Sequence, residues 1–311
     1  MTDITIIIPT YNRLWSLPEA INSCRQNSCS VEIIVVDDGS TDDTLEWLAG
    51  QKDIITLHQK HLGKCWAVNK AFTAASGKYI RFLDSDDKLA PMANDEQFEI
   101  AEAALADVVV SGYRTFTDDN TIVKEQGWIE TDDFVAQQLG ECDSSHYSAY
   151  LFRKDFIAEI PHRPDFALRD DRLFVLEVAL NNPKVAIHKG MALLHRVAHH
   201  DRLQQPGGLE RSVQNYQHLN IYRLILGQLR EQGQLTPRRA DAAIKALWPL
   251  ARWMARDSIR DAKKLVDWIY DLDPNFEIPE GGTHGWLYRS IGFTGTEKTL
   301  RLCRSIVNVF R

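Results

Sequence analysis

The first part of the chain alternates between short apolar runs and segments of helical length, and this alternation restricts the fold more than any other feature. The runs at 5–9, 31–36, 54–58 and 79–83 are rich in β-branched and aromatic residues. Strands that alternate with helices through short links form parallel sheets covered by helices. The sequence therefore predicts an α/β domain built on a mostly parallel sheet.

An acidic cluster follows the fourth apolar run. Asp84 and Asp86 lie two positions apart at the end of a predicted strand and therefore share a face, and Asp87 follows them. Crowded carboxylates raise each other's pKa unless a cation lies between them. A solvated acidic loop is one interpretation. A divalent cation with oxygen ligands, which would also bind a diphosphate, is the other.

Two more polar segments follow predicted strands. Residues 9–13 come after the first strand, and Asp37-Asp38-Gly39-Ser40 comes after the second. Taken alone, the second segment would be a turn that leads into a helix. Open parallel sheets bind ligands beyond the carboxyl ends of their strands. Three polar segments at such ends therefore favour a binding site.

In combination these motifs resemble family 2 glycosyltransferases, which have the GT-A fold. The resemblance rests on Ile6-Ile7-Ile8-Pro9-Thr10-Tyr11-Asn12, on Ile34-Val35-Val36-Asp37-Asp38-Gly39-Ser40-Thr41-Asp42 and on Leu83-Asp84-Ser85-Asp86-Asp87. It covers residues 4–90 and extends more weakly to residue 200. It implies a nucleotide-sugar-binding and catalytic domain over 1–205. Residues 206–311, with helical patterns at 210–232, 237–270 and 296–311, are predicted to form a helical extension.

The resemblance also implies functions for the residues at the strand ends. In that family the base lies between Thr10 and Tyr11, an aspartate at the position of Asp38 accepts a hydrogen bond from it, and Asp84 approaches the ribose. The predicted nucleotide-binding residues are Pro9, Thr10, Tyr11, Arg13, Asp38, Lys64, Asp84 and Ser85. The predicted cofactor is Mn²⁺ or Mg²⁺, with Asp86, Asp87 and His199 as its candidate ligands.

A second acidic pair, Asp170-Asp171, opens a predicted helix. Alone it would be a favourable helix start. The resemblance places the catalytic base at Asp171. A carboxylate there would take the proton from an acceptor hydroxyl while the cation stabilises the departing diphosphate. Contacts with donor or acceptor are predicted for Asp170, His146 and Arg196.

The predicted activity is transfer of one sugar, with inversion, from a nucleotide diphosphate donor to a hydroxyl of a glycan or glycolipid acceptor. UDP is the favoured nucleotide, and lipopolysaccharide or capsule is the implied product class. One alternative is a non-catalytic protein that binds nucleotide sugars or scaffolds a polysaccharide assembly complex. A nucleotidyltransferase is a further alternative, although Pro9-Thr10-Tyr11-Asn12-Arg13 is not the glycine-rich basic loop that such enzymes carry.

Charge and cysteine content restrict the partners and the location. The net charge of −7 argues against a nucleic-acid partner. Five scattered cysteines, with no signal-peptide pattern and no long apolar run, predict a cytoplasmic protein with reduced thiols. The tail at 298–311 mixes apolar and basic residues, so it either contacts the inner face of a membrane peripherally or docks on the preceding helices. The helical extension offers a surface for a homodimer.

Overall fold

The computed structural model describes residues 2–197 and 208–309. Within them, residues 2–132 and 143–197 form one compact unit, and residues 133–142 and 208–309 form a second. The segment 133–142 thus belongs to the helical unit, although it lies inside the predicted range 1–205. The assignment of functions to the two predicted domains stays a prediction.

A mixed sheet forms the centre of the first unit. Its strands run in the order β3-β2-β1-β4-β8-β6-β9-β5, with β7 paired to β6. Neighbours among β1 to β4 are parallel, as is the pair β6-β9, whereas β5, β7 and β8 pair antiparallel. The strands are β1 (Ile4–Thr10), β2 (Val31–Asp37), β3 (Ile55–His58), β4 (Tyr79–Phe82), β5 (Lys88–Leu89), β6 (Val108–Phe116), β7 (Ile122–Gln126), β8 (Leu151–Arg153) and β9 (Val185–Arg196).

The four strands expected from the sequence all form, and the apolar side chains of β1, β2 and β4 build the core. Ile6, Ile7 and Ile8 in β1 are completely buried, as are Ile34 and Val36 in β2. Burial on both faces is the reason that these strands are continuous apolar runs rather than alternating ones. The helices of this unit are α1 (Leu17–Ser23), α2 (Thr44–Ala49), α3 (Lys64–Ala74), α4 (Ala93–Ala104) and α6 (Asp170–Leu180).

The second unit is helical. It contains α5 (Phe134–Leu139), α7 (Gly208–Glu231), α8 (Pro237–Met254), α9 (Ile259–Leu272) and α10 (Gly282–Val309). Trp248 is buried against Phe276 and Tyr288, and its indole nitrogen donates to Glu280. No helix in the described ranges has both the length and the apolar character needed to cross a membrane.

Tyr147–Ala149 is a short 3₁₀ turn, and Phe152 lies in β8, which pairs with β4 and β6. One local prediction from the sequence was wrong. The helical pattern at 237–270 is two helices rather than one. Ser258 begins the second of them, since its side chain accepts a hydrogen bond from the backbone of Asp261.

Gly77 offers a test of the contact between the start of β4 and β1. A Cβ atom there would lie 2.4 Å from the backbone nitrogen of Thr5, so Gly77→Ala must displace buried backbone. We expect a loss of about 1–3 kcal/mol in the free energy of unfolding, measured by urea titration. Gly127→Ala is the control, because a Cβ at Gly127 meets nothing within 4 Å. Equal effects of the two substitutions would contradict the packing.

Candidate functional site

The loops after β1 and β2 are joined into one rim at the carboxyl edge of the sheet. The backbone nitrogen of Asp38 donates to the carbonyl of Thr10 at 2.8 Å. The side chain of Asn12 accepts a hydrogen bond from the backbone nitrogen of Thr41 at 2.7 Å. The backbone nitrogen of Asn12 donates to Ser40 Oγ at 2.9 Å. The two polar segments singled out in the sequence are therefore brought together.

Asp38 shapes the loop between β3 and α3. Its buried carboxylate accepts hydrogen bonds from the Gln59 side chain at 2.6 Å and from the backbone nitrogens of Leu62 and Gly63, both at 2.9 Å. His61 Nδ1 lies 2.9 Å from the same carboxylate. Neighbouring groups of the chain thus already donate hydrogen bonds to the Asp38 carboxylate. The predicted hydrogen bond from Asp38 to a nucleotide base stays a prediction.

The side chains next to Asp38 differ in exposure. Tyr11 is exposed and stacks on His61 with ring centroids 4.0 Å apart. Thr10 is buried, and its hydroxyl has no hydrogen-bond partner among the described residues. Arg13 lies over the ring of Trp15. Tyr11 therefore presents an aromatic face at the rim, where its predicted contact with a base could form.

The acidic segment after β4 adjoins this rim. Ser85 is buried, and its carbonyl accepts a hydrogen bond from Ser16 Oγ at 2.9 Å, which ties the segment to the start of α1. Pro9 is partly buried at the end of β1. These contacts fix the backbone that carries Asp84 and Asp86.

Lys64 brings together two of the predicted functional carboxylates. Its ammonium nitrogen lies 2.7 Å from Asp84 Oδ1 and 3.1 Å from Asp171 Oδ2. The three residues come from the start of α3, the end of β4 and the start of α6. Asp84 and Asp171, which were predicted separately from the sequence, are therefore bridged by the ammonium group of Lys64.

The electrostatics of these two carboxylates differ. Burial acts to raise the pKa of Asp84, but Lys64, His146 and His195 together outweigh it and lower this pKa to about 2. Burial raises the pKa of Asp171, and Lys64 opposes the shift without cancelling it. Asp171 Oδ1 is buried with no hydrogen-bond partner in the described residues, whereas the side chain as a whole is 36% exposed. Asp171 is thus a carboxylate with increased basicity that remains partly accessible.

A second cluster contains Asp87 and two histidines. His195 Nδ1 lies 2.9 Å from Asp87 Oδ2, and the backbone nitrogen of Arg196 donates to Asp87 Oδ1 at 2.9 Å. His146 lies beside His195, with ring centroids 4.5 Å apart. Burial raises the pKa of Asp87 to about 6, although His195 acts in the opposite direction. One ligand atom from each of Asp87, His146 and His195 falls within 4.8 Å of the others, a spacing that could hold a metal ion.

This cluster differs from the predicted ligand set. Asp86 lies outside it, and the carbonyl of Asp86 accepts from Arg196 Nε at 3.0 Å. His199 lies outside the described residues. His195 was not among the predicted ligands, and His146 was expected to contact substrate. The histidine-rich run 195–200 was the available signal, but the register of β9 decides which of its members faces Asp87.

The side chain of Arg196 is held by contacts within the protein. Its guanidinium pairs with Glu19 at 2.8 Å and with Asp118 at 2.9 Å, and it lies over the ring of Phe116. Only 4% of the residue is exposed. Its predicted contact with donor or acceptor stays a prediction, and the observed contacts give it a structural function.

Asp170 faces inward, away from the partly exposed Asp171. Its Oδ1 accepts from the backbone nitrogen of Arg163 at 2.6 Å, and its Oδ2 contacts His162 Nδ1. His162 Nε2 lies 2.8 Å from the hydroxyl of Tyr147. No signal in the sequence pointed to His162, because it forms no local motif with the acidic pair.

Comparison with known proteins agrees with this arrangement. Residues 5–158 match the family model described as glycosyl transferase family 2. This part of the chain is a glycosyl transferase family 2 domain. The family motifs supply the strand-end residues of both the rim and the acidic segment, so the recognition made from the sequence is confirmed.

Relatives of this family differ in how much they share with the chain. An uncharacterized glycosyltransferase of Rickettsia conorii is 47% identical over 91 residues, which cover 28% of this chain and 15% of that protein. The uncharacterized glycosyltransferase EpsJ of Bacillus subtilis is 29% identical over 187 residues, covering 57% and 54%. The matched segments thus span about half or less of these relatives.

A solved structure shows the same fold. The crystal structure of S. aureus TarS 1–349 in complex with UDP-GlcNAc has a TM-score of 0.56 and 16% sequence identity, and the match covers 97% of this chain and 92% of that one. At this identity the likeness speaks for the fold alone. The predicted GT-A fold is confirmed.

The ion-pair bridge that Lys64 forms between Asp84 and Asp171 can be tested by removing the ammonium group. In Lys64→Met, Asp84 and Asp171 face each other without a cation, so we expect a loss of about 1–2 kcal/mol in the free energy of unfolding near neutral pH. The pKa of Asp84 lies below its unfolded value. The stabilisation is therefore present above about pH 4 and is lost as the pH falls towards 2, so the penalty should shrink in acid.

The control for this prediction is Lys78→Met, because Lys78 pairs with Glu102 on the exposed surface. Such pairs contribute about 0–1 kcal/mol. Urea unfolding of both variants near neutral pH and in acid provides the measurement. A Lys64→Met penalty no larger than that of the control, or one that grows in acid, would contradict the bridge.

Proposed function

We propose that this protein transfers one sugar from a UDP-sugar to a hydroxyl of a glycan or glycolipid acceptor, with inversion at the anomeric carbon. The observation that carries the proposal is the Lys64 bridge. It places Asp84, at the strand end where the family binds the nucleotide, beside Asp171, a partly exposed carboxylate of raised pKa. Donor and proton acceptor would then meet at one edge of the sheet.

Asp171 is the proposed general base. A sugar hydroxyl is a poor nucleophile at neutral pH, and a carboxylate of increased basicity accepts its proton more readily in the transition state. Because Asp171 Oδ1 is buried, Oδ2 is the oxygen that an acceptor hydroxyl would reach. The proton moves to Oδ2 as the hydroxyl oxygen bonds to the anomeric carbon and the bond to the diphosphate breaks. A single displacement of this kind inverts that carbon.

Asp87, His146 and His195 are the residues that would hold the divalent cation. A carboxylate together with two imidazoles suits Mn²⁺ better than Mg²⁺, which favours ligand sets made of oxygen. The backbone nitrogen of Arg196 orients Asp87, as outer partners orient metal ligands elsewhere. When bound, the cation supplies positive charge for the departing diphosphate.

The donor and the location rest on separate arguments. TarS has been crystallised with UDP-GlcNAc, and this supports UDP as the nucleotide that the shared fold accommodates here. The five cysteines are free thiols, which fits the cytoplasmic location expected from the sequence. A surface glycan such as lipopolysaccharide or capsule as product, peripheral membrane contact and a homodimer stay proposals that the family resemblance and the helical extension motivate.

Asp171→Asn separates an enzyme from a non-catalytic binding protein. The amide cannot accept the proton, so we expect turnover to fall by about 10²–10⁴-fold. Affinity for UDP should change little, because Asp171 is assigned to the acceptor. UDP release and calorimetric titration with UDP provide the two measurements. Full turnover in the variant would contradict the assignment of the base, and Asp165→Asn is the control at an exposed carboxylate of the same unit.

A thermal-shift screen tests the donor and the cation together. UDP-, GDP-, dTDP- and CMP-sugars are added with and without Mn²⁺, since a ligand that binds the folded state raises Tm. We expect the largest shift from a UDP-sugar with Mn²⁺, and a smaller gain from Mn²⁺ in His195→Gln. Stabilisation that ignores Mn²⁺ in both proteins would contradict the ligand assignment, whereas a larger shift with GDP-sugars would contradict the nucleotide.

A further inference from the structure

A buried hydrogen-bonded array lies directly behind the proposed base. It runs from the Tyr147 hydroxyl to His162 Nε2, over 2.8 Å, and from His162 Nδ1 to Asp170 Oδ2. Tyr147, His162 and Asp170 are each exposed by 5% or less. The imidazole is further held by stacking on Phe174, with centroids 4.5 Å apart. Such a buried polar chain is stable only if each donor meets an acceptor.

The partners define where the protons lie. An ionised Asp170 can only accept, so His162 Nδ1 carries the proton that it donates to Oδ2. His162 Nε2 then has a free lone pair and accepts from the Tyr147 hydroxyl. The backbone nitrogen of Arg163 donates to the other oxygen of Asp170. An imidazole in the Nδ1–H form therefore satisfies every member of the array and donates to the buried carboxylate of Asp170.

This array determines the direction in which the Asp171 side chain points. Asp170 and Asp171 are consecutive residues in the first turn of α6, and consecutive residues on a helix point about 100° apart. With Asp170 fixed inward by His162 and Arg163, Asp171 is turned towards Lys64, where its Oδ2 lies 3.1 Å from the ammonium.

The same arrangement affects the proton affinity of Asp171. The groups that face it are Lys64 from α3, Asp84 from the end of β4, Asp170 from its own helix and His162 from the preceding loop. The charges of Asp84 and Asp170 add to the effect of burial and raise the pKa of Asp171, while Lys64 and, to a smaller extent, His162 oppose them. A negative charge retained at Asp170 thus makes Asp171 a stronger base.

We propose that His162 is a positioning residue for catalysis: linked to Tyr147, it holds Asp170 as a buried anion and so sets the direction and the basicity of Asp171. The inference rests on the proposed function of Asp171 as the base. Asp170 then supports the base from within the protein and does not contact the sugar.

Two substitutions of His162 separate its two contacts. An asparagine amide nitrogen takes the place of Nδ1 and can still donate to Asp170, whereas a glutamine amide reaches the position of Nε2 and Tyr147. Both remove the imidazole and its stacking on Phe174. A structural function alone therefore predicts similar losses of activity for both variants.

We expect kcat for UDP release in His162→Asn to exceed that in His162→Gln by about 10- to 100-fold, the size of one hydrogen bond to a charged group. The UDP-sugar with the largest thermal shift is the probe, with water as acceptor. Kd for UDP should be the same in both variants. Equal kcat values in two folded variants, or a loss confined to Kd, would overturn the inference.

Asp170→Asn gives an independent pH test. Loss of the negative charge lowers the pKa of Asp171, so the acid limb of the kcat/KM profile should move to lower pH than in the unsubstituted protein. An unchanged limb, or one that moves to higher pH, would overturn the inference. If the His162 variants fail to fold, nitrogen NMR of the unsubstituted protein decides the tautomer. A proton on His162 Nδ1 supports the array, and a proton on Nε2 alone excludes it.

The outcome for Asp171→Asn keeps the two proposals distinct. Full turnover in that variant would show that Asp171 is not the base and would therefore reject the proposed mechanism. Loss of turnover in Asp171→Asn, combined with equal behaviour of the two His162 variants and an unmoved pH limb, rejects only the positioning function.

Discussion

An ammonium group between two carboxylates is the interaction on which the rest of the site depends. Lys64 reaches Asp84 and Asp171 from the start of α3, and the carboxylates lie at the end of β4 and at the start of α6. Without the cation they would repel each other, and each would take up a proton more easily. The bridge therefore requires that two helices and the sheet edge be correctly placed, and it holds all three at one point.

The acidic residues of the site divide into two groups by burial. Asp38, Asp87 and Asp170 are almost completely buried, and each accepts a hydrogen bond from at least one backbone nitrogen. A buried carboxylate must be satisfied in this way, and in return it fixes the loop that supplies the donors. Asp84 and Asp171 remain partly exposed. The buried carboxylates thus give the loops their shape, whereas Asp84 and Asp171 keep oxygen atoms that solvent can reach.

Histidine side chains contact two of the buried carboxylates. His162 links Asp170 to Tyr147, and His195 contacts Asp87 beside His146. In each case an imidazole lies next to a buried carboxylate. One array adjoins the proposed base and the other the proposed cation. The motifs quoted from the sequence contain Asp38, Asp84 and Asp87 but none of these histidines.

Much of the architecture could be predicted from the sequence alone. The buried strands are continuous apolar runs, and polar motifs follow them at 9–13, 37–40 and 84–87. These are local patterns, and parallel strands necessarily bring their carboxyl ends to one edge. The family resemblance and the fold followed from the sequence for this reason, and the structure brings the first two polar motifs together at that edge.

Only the tertiary structure decided which side chains meet. Lys64 and Asp171 are separated by 107 positions, and Asp87 and His195 by 108. Their contacts depend on the order of strands in the sheet and on the register of β9 against β5 and β6. A shift of one residue in a strand turns every side chain to the other face. No local pattern encodes that choice, and so the sequence alone did not predict the contact between His195 and Asp87.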